Sequence, residues 1–164
     1  MLRYHNITKD DMKNGDGLRV VLWLAGCEHA CPGCHNPITW DADGGLEFDE
    51  AAKSELISEL SQPYISGVTL SGGDPLYMPR RDEVTALVKE LRESFPQKTI
   101  WMYTGYSWEE VCELPVMKYI DVLVDGRFIE SEKDNLLMWR GSKNQRVIDV
   151  KKSKQEGRPI LHCN

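Results

Sequence analysis

Three cysteines stand close together in this chain and give its clearest chemical signal. Cys27, Cys31 and Cys34 form a C-x3-C-x2-C pattern. Thiolates are preferred ligands of both iron–sulfur clusters and zinc. A structural zinc site needs four ligands, usually as two close pairs, and no second pair follows here. Three thiolates with one coordination position left open are typical of a reactive centre, so the pattern favours a catalytic iron–sulfur cluster.

Two other interpretations of the cysteine cluster stay open at this point. A small binding module stabilised by zinc would need a fourth ligand, which is available from His29, His35 or His162. A redox-active thiol site is the second alternative. Of the two remaining cysteines, Cys112 is expected to be a small, half-buried apolar residue, and Cys163 is expected to be an exposed thiol.

A second candidate site is the segment Ser71–Pro75, which reads S-G-G-D-P. Paired glycines after a strand let a ligand approach the backbone, because no Cβ intrudes, and the carboxylate of Asp74 suits an ammonium group. The segment lacks the Lys-Ser/Thr of a phosphate-binding loop and the G-x-G-x-x-G of a dinucleotide-binding fold. A plain strand-to-helix turn is the alternative.

The elements that must position these residues alternate between strands and helices. Apolar runs predict strands at Leu18–Ala25, Gly67–Leu70, Thr99–Tyr103 and Ile120–Val124. Caps and helical spacing predict helices at Glu50–Leu60, at Asp82–Phe95 and from Ser107 onward. This order predicts an α/β fold with a mainly parallel sheet and right-handed crossovers.

The turns after these strands are expected to meet at one edge of the sheet. They are Gly26–Asn36, Ser71–Pro75, Thr104–Tyr106 and Asp125–Arg127. Because α/β proteins bind ligands at the carboxyl ends of their strands, the cysteine loop and the Gly-Gly loop should face one cavity. Beyond Asp125 the pattern weakens, and the chain is expected to be partly irregular.

Length and composition limit the class of protein further. The 164 residues predict one domain over 1–164, with an uncertain tail from about residue 147, and are too few for a complete eight-fold β/α barrel. The five cysteines cannot all pair in disulfides, and no signal peptide or membrane span is recognisable, so we expect a reducing, cytoplasmic location. The net charge of −6 disfavours a basic nucleic-acid binder, so neither nucleic acid nor a membrane is expected as a partner.

Together these motifs resemble the radical S-adenosylmethionine enzymes and, among them, the activases of glycyl-radical enzymes. The resemblance runs from about Tyr4 to Arg146. The cysteine pattern carries the likeness to the superfamily, and Ser71–Leu76 (SGGDPL) and Trp139–Ser142 (WRGS) carry the likeness to the activases. It implies a single domain built as an incomplete β/α barrel with a mainly parallel sheet.

The resemblance also implies cofactors. Cys27, Cys31 and Cys34 would bind three irons of one 4Fe–4S cluster, and S-adenosylmethionine would chelate the fourth iron. Electron transfer from the reduced cluster would cleave S-adenosylmethionine and produce a radical that removes a hydrogen from a glycine. The cofactor-binding residues implied are Gly33, Cys34, His35, Gly72, Gly73, Asp74, Thr104, Asp125 and Arg127.

The implied partners are proteins. The substrate glycine would lie near the C-terminus of an anaerobic ribonucleoside-triphosphate reductase, and flavodoxin or a similar protein would supply electrons. The alternative is another glycyl-radical enzyme such as pyruvate formate-lyase, against which the WRGS segment and the short length argue. Tyr106, Trp108 and the segment Trp139–Arg146 are expected to contribute to docking.

Overall fold

The computed structural model describes residues 1–34 and 37–162, and the strands of this part of the chain join in one sheet. In chain order they are β1 (Arg3–Asp11), β2 (Arg19–Leu24), β3 (Leu46–Glu47), β4 (Gly67–Gly72), β5 (Thr99–Tyr103), β6 (Val122–Asp125) and β7 (Arg146–Asp149). Their spatial order is β3-β1-β2-β4-β5-β6-β7. The pairs β2–β4, β4–β5 and β5–β6 are parallel, whereas β1, β3 and β7 pair antiparallel. The α/β class is confirmed, but the sheet is mixed and only its centre is parallel.

The α-helices of the described chain are α1 (Glu50–Leu60), α2 (Arg81–Ser94), α3 (Trp108–Val111) and α4 (Val150–Glu156). Two of them begin at the caps that the sequence predicts. The Asp49 carboxylate accepts a hydrogen bond from the Ala52 N–H at 2.9 Å, and Ser107 forms a reciprocal capping box with Glu110. Short 3-10 helices lie at Pro37–Trp40, Met78–Arg80, Pro115–Lys118 and Glu130–Glu132.

The two faces of the sheet have different surroundings, because successive side chains of a strand point to opposite faces. One set of strand residues, including Leu22, Leu70 and Met102, belongs to the main hydrophobic core. The same core contains apolar residues of every α-helix named above, such as Leu56, Val88, Val111 and Val150. The other face carries a smaller cluster in which Trp101 and Val124 are buried and Trp139 packs against them.

The connectivity explains this asymmetry. Strands β2, β4, β5 and β6 are neighbours in space in the same order as in the chain, without a reversal. A sheet that always advances in one direction through right-handed crossovers receives its connecting helices on one face, as in a barrel and unlike a doubly wound sheet. The opposite face is therefore available for a ligand.

A buried arginine connects the central strands by hydrogen bonds near their amino ends. The Arg19 guanidinium donates to the Thr69 hydroxyl at 2.9 Å and to the carbonyls of Val68 and Thr99 at 2.8 and 2.9 Å. Its guanidinium carbon also lies 5.5 Å from the ring centre of Trp101. Burial lowers the pKa of Arg19 to about 10, so the side chain is still charged at neutral pH. These bonds join β2, β4 and β5 at the end of the strands that is opposite to the cysteine loop.

At both sides of the sheet, the structure contains elements that the sequence pattern does not predict. The apolar pattern does not predict β1, because Ile7 is the one fully buried residue in this strand. The chain beyond Asp125, expected to be partly irregular, contains β7 and α4, and α4 is capped by the Asp149 carboxylate through the Lys152 N–H at 2.9 Å. Among the residues that the structure describes, no helix has the length and apolar character needed to cross a membrane.

Candidate metal centre and cofactor cavity

A cavity of about 520 Å³ lies where the turns after the parallel strands meet. This volume is within the range of small-molecule sites, about 300–1,000 Å³. Its lining residues include Cys27, Cys31 and Cys34 from the cysteine loop, Ser71 and Gly72 at the end of β4, Gly73 after it, Thr104 and Gly105 after β5, and Gly126 after β6. The expectation that the cysteine loop and the Gly-Gly loop face one cavity is thus confirmed.

Backbone contacts hold the cysteine loop against its neighbours. The Gly26 N–H donates to the Thr39 carbonyl at 2.7 Å, and the Gly26 carbonyl accepts from the Asp74 N–H at 2.7 Å. Gly26 has a φ of 109°, a left-handed conformation that favours glycine. The Cys34 N–H donates to the Cys31 carbonyl at 3.1 Å, so the last two cysteines lie on one tight turn.

Cys27, Cys31 and Cys34 line this cavity as unpaired, half-buried thiols. Within residues 1–34 and 37–162, no three cysteine, histidine or carboxylate side chains converge as the ligands of one metal ion. A 4Fe–4S cluster does not need such convergence, because each cysteine binds a different iron. A structural zinc site needs four ligands around one ion. Three cysteine thiolates are a donor set that fits an iron–sulfur cluster.

The first cysteine of the pattern is protonated in the metal-free protein. Burial raises the pKa of Cys27 to about 11, and the charges of Asp74, Cys31 and Cys34 act in the same direction, whereas a hydrogen bond with the His29 backbone lowers it. Iron binds the thiolate form of cysteine. Metal loading at Cys27 therefore has to release a proton.

The Asp74 carboxylate joins the loops that follow β4 and β5. The Thr104 hydroxyl lies 2.9 and 3.0 Å from its two oxygens. The Gly105 N–H donates to Oδ2 at 2.9 Å, and the Leu76 N–H donates to Oδ1 at 2.9 Å. Asp74 is buried, so these donors replace the water that a carboxylate would otherwise bind.

His29 connects the cysteine loop to the same carboxylate. Its Nε2 lies 2.6 Å from Asp74 Oδ2, and the two side chains are 5% and 2% exposed. The ring also packs edge-on against Tyr106, with 4.6 Å between ring centres. Because His29 stands between Cys27 and Cys31, this pair holds the cysteine loop in place. The sequence indicates His29 only as a possible zinc ligand, although a histidine inside a metal-binding loop is a signal for this positioning role.

The two glycines of the second candidate site are required by close backbone contacts. Gly72 has a φ of 105°, and a Cβ at this position would lie 2.4 Å from the Leu24 carbonyl oxygen. A Cβ on Gly73 would lie 2.5 Å from the Gly26 carbonyl oxygen. In both cases the side chain would meet rigid backbone, so only glycine fits. This segment is therefore more constrained than a plain turn requires.

Four of the residues implied for the cofactor, Gly33, Asp74, Asp125 and Arg127, are not among the described residues that line the cavity. The Asp125 carboxylate accepts hydrogen bonds from the Trp108 N–H at 2.8 Å and from Arg146 Nη2 at 2.6 Å, and Arg127 is exposed. Trp108 is only 4% exposed and belongs to the main core, so the expectation that it docks a partner is wrong.

The remaining predicted residues are less informative. Gly33 is exposed, and a Cβ there would meet the Glu130 carboxylate. Cys112 is half-buried beside the main core and unpaired, as predicted. His35 and Cys163 lie outside the described residues.

A family model described as "4Fe-4S single cluster domain" matches residues 13–148. The matched range includes the three cysteines and the glycine pair. The chain therefore belongs to this family of single-cluster 4Fe–4S domains, and the family favours the cluster over the zinc interpretation.

Comparison with curated proteins places the chain more narrowly. It is 45% identical over 146 residues to the anaerobic ribonucleoside-triphosphate reductase-activating protein of Enterobacteria phage T4, which covers 89% of this chain and 93% of that protein. The protein of the same name from Escherichia coli (strain K12) is 41% identical over 150 residues, with 89% and 97% covered. That from Haemophilus influenzae is 38% identical over 148 residues, with 88% and 96% covered. The chain is thus a member of the family of anaerobic ribonucleoside-triphosphate reductase-activating proteins, as the resemblance predicts.

Proposed function

We propose that this chain activates an anaerobic ribonucleoside-triphosphate reductase by forming a glycyl radical on it, with a 4Fe–4S cluster and S-adenosylmethionine as cofactors. The observation that carries the proposal is the shared cavity, in which three unpaired thiols face a glycine pair that only glycine can form. The names of the relatives favour the reductase over pyruvate formate-lyase as the protein substrate.

The residues of the cavity fit the two cofactors by their chemistry. Cys27, Cys31 and Cys34 would each bind one iron. The backbone at Gly72 and Gly73 lets the methionine amino group come close to main-chain carbonyls. Asp74 already accepts hydrogen bonds from neighbouring loops, so its part is to hold those loops and to add negative charge beside the ammonium group.

When bound through Cys27, Cys31 and Cys34, a reduced cluster would supply the one electron needed to cleave S-adenosylmethionine reductively, and this chemistry would end in methionine, 5′-deoxyadenosine and a glycine that has lost a Cα hydrogen atom. The protein has to orient the cofactor and to keep water and other hydrogen donors away. Phe128, Leu137 and Trp139 contribute apolar surface to the cavity for this purpose. His29 and Asp74 keep the cysteine loop in register with the glycine pair.

We infer that residues 1–164 form one domain with the architecture of a partial β/α barrel, and this architecture suits the proposed reaction. Sequential parallel strands, helices on one face and a cavity on the other are the features that support this architecture. An incomplete barrel leaves one side open through which a polypeptide segment can enter. Unpaired cysteines suit a reducing compartment such as the cytoplasm, where flavodoxin or a similar protein would supply the electron.

Anaerobic reconstitution tests this function. The protein is loaded with iron and sulfide, reduced and mixed with S-adenosylmethionine, and 5′-deoxyadenosine is measured; the reductase is then added and its glycyl radical is recorded by electron paramagnetic resonance. Changing Cys27, Cys31 or Cys34 to Ala is expected to abolish both products, whereas the matched control Cys112→Ala retains them. A colourless, zinc-containing protein that yields no 5′-deoxyadenosine would overturn the proposal.

A further inference from the structure

Several aromatic side chains with O–H or N–H groups line the cavity. In the described lining they include Trp23, Trp40, Tyr103 and Trp139. The C–H bonds of an aromatic ring are strong, whereas the O–H bond of a phenol is weak. A carbon radical within reach of a phenol takes its hydrogen atom, so that the O–H bond breaks, a C–H bond forms and the unpaired electron stays on the phenoxyl group. In the proposed function, each such event would consume S-adenosylmethionine without activating the reductase.

The indole N–H groups of the three tryptophans are closed to the cavity space. Trp23 Nε1 donates to the Thr8 hydroxyl at 2.5 Å. Trp40 Nε1 and Trp139 Nε1 are buried and have almost no accessible surface. A molecule in the cavity therefore meets the carbon atoms of these rings rather than their N–H groups.

The Tyr103 hydroxyl is covered by a backbone oxygen. Tyr103 is the half-buried last residue of β5 and the one phenol in the described lining of the cavity. Its hydroxyl donates to the Trp139 carbonyl at 2.5 Å. A phenol that donates a hydrogen bond gives up its hydrogen atom more slowly than a free phenol, because the acceptor has to leave first. The weakest O–H bond of this wall is thus shielded.

The carbonyl that covers this hydroxyl belongs to a strained residue. Trp139 has a φ of 67°, which is rare for a bulky residue and is tolerated only where surrounding contacts enforce it. One such contact is the edge-on packing of its ring against Trp101, with 5.8 Å between ring centres. Strain of this kind at a cavity wall points to a function for the conformation that it maintains.

The Gln145 side chain holds the loop of Trp139 in this conformation. Its oxygen accepts hydrogen bonds from the N–H groups of Gly141 and Ser142 at 2.9 and 3.1 Å. Its nitrogen donates to the Gly126 carbonyl at 2.9 Å, just after the end of β6. The position of the Trp139 carbonyl is therefore set from two sides, by the ring packing and by this anchor.

We propose that Trp139 is a positioning residue whose strained backbone keeps the Tyr103 hydroxyl from acting as a hydrogen donor in the cavity. This inference rests on the proposed function. It gives the strain a purpose that neither the three cysteines nor the glycine pair requires. The opposite role, in which Tyr103 relays a hydrogen atom from the substrate glycine, fits the geometry less well, because the hydroxyl is directed at the backbone.

Deuterium labelling tests the inference. In D2O, hydrogens on oxygen and nitrogen are replaced by deuterium, whereas the Cα hydrogens of glycine stay. 5′-Deoxyadenosine that has taken its hydrogen from the reductase glycine is therefore unlabelled, and that formed by removal of a hydrogen from a phenol or from water carries one deuterium, which mass spectrometry detects. For Tyr103→Phe, we expect the labelled fraction and the glycyl-radical yield of the unmodified protein. Loss of the glycyl radical in this variant would assign a relay to Tyr103 and overturn the proposal.

Release of the anchor is expected to expose the phenol. Loss of one hydrogen bond changes a conformational population by roughly two- to twelvefold, so Gln145→Ala should raise the labelled fraction at least about twofold. Adding Tyr103→Phe to Gln145→Ala should restore the unmodified value, because the phenol is then absent. A labelled fraction that stays high in the double variant would show that water is the donor and would contradict the proposal. The matched control is Lys133→Ala, a change of an exposed residue that pairs with Ser142 through its backbone.

A measurement on the metal-free protein checks the same hydrogen bond without any reaction. The hydroxyl proton of Tyr103 is identified by nuclear magnetic resonance as the signal that Tyr103→Phe lacks. We expect it to exchange slowly with water in the unmodified protein and in Lys133→Ala, and roughly two- to twelvefold faster in Gln145→Ala. Equal exchange in all three proteins would overturn the role of the loop.

Two further provisions keep the test decisive. If circular dichroism shows that Gln145→Ala is misfolded, Trp139→Gly, which relieves the strain at the positive φ, takes its place in both measurements, alone and with Tyr103→Phe. Failure of the proposed function is distinguishable, because the unmodified protein would then produce no 5′-deoxyadenosine at all, whereas failure of this inference leaves the product formed and its labelled fraction unchanged by release of the loop.

Discussion

At the scale of single residues, the site depends on a buried carboxylate that is shared by neighbouring loops. Asp74 receives hydrogen bonds from Thr104, Gly105 and Leu76 and lies 2.6 Å from the His29 ring. A buried carboxylate is stable only while such donors surround it. The position of the cysteine loop is therefore determined in part by residues that never touch iron.

Replacement of His29 tests this dependence. His29→Ala removes one donor from a buried carboxylate and is expected to lower the free energy of unfolding by about 1–3 kcal/mol. His29→Gln keeps a side-chain N–H and should recover most of that loss. Urea unfolding of the metal-free protein measures the free energy, and the visible absorption of the reconstituted protein measures cluster content. Equal losses in the two variants would show that the hydrogen bond to Asp74 is unimportant.

At the scale of elements, a charged network connects β6, β7 and α3. Arg146 donates to the buried carboxylate of Asp125 at 2.6 Å and to Glu109 at 2.8 Å. These hydrogen bonds raise the pKa of Arg146 above its usual range. Asp125 also accepts from the first N–H of α3, at Trp108. The network thus attaches the last strand of the sheet to the helix that follows β5.

Loss of Arg146 is expected to be costly for stability. Arg146→Met leaves the Asp125 carboxylate buried without its cation, and breaking a buried pair in this way typically costs about 3–5 kcal/mol. Arg127→Met, a change of an exposed arginine in the adjacent turn, should change stability by less than about 0.5 kcal/mol. Urea unfolding of the metal-free proteins checks both values. A small effect of Arg146→Met would mean that other donors compensate Asp125.

The ion pair between Glu109 and Arg146, at the exposed end of this network, predicts that the free energy of unfolding depends on pH. The hydrogen bond from Arg146 lowers the pKa of Glu109, so the folded state binds this proton less readily than the unfolded state. The stabilisation is present above the ordinary glutamate pKa of about 4.3 and is lost as the pH falls through the lowered value. We expect Glu109→Gln to reduce stability at pH 7 and to match the unmodified protein at the acidic end of the titration.

The control for this pH dependence is Glu113→Gln, because the Glu113 carboxylate is 91% exposed. Its unfolding free energy should follow that of the unmodified protein across the same pH range. A difference for Glu109→Gln that does not change with pH would contradict an electrostatic origin.

How much the sequence reveals differs between elements. The runs at β2, β4 and β5 are predicted because these strands are buried on both faces, whereas β1 and β7 lie at the sides of the sheet and are short of apolar residues. The cysteine pattern is predicted because its spacing is local. The pairing of His29 with Asp74 joins residues 45 positions apart, so no local spacing encodes it.

At the scale of the whole molecule, binding of the cluster and of S-adenosylmethionine should stabilise the loops around the cavity more than the helices α1 and α2. Ligands that bind only the folded state add about 2.7 kcal/mol at a hundredfold excess over Kd. We expect removal of iron by a chelator to increase amide hydrogen exchange in the loops around residues 26–40, 71–77 and 126–145, while α1 and α2 stay protected. Exchange that rises uniformly along the chain would instead indicate that the cavity loops have no special dependence on the metal.

The packing of the α-helices on one face of the sheet has a consequence for the chemistry. In the described chain the α-helices pack on the main core, and the cavity is lined by loops, strand ends and a 3-10 helix. In the proposed function, a reactive radical formed there is fully shielded only while the reductase occupies the opening. The substrate protein then serves as the missing wall of the reaction chamber, and containment of the radical is a property of the complex rather than of either protein alone.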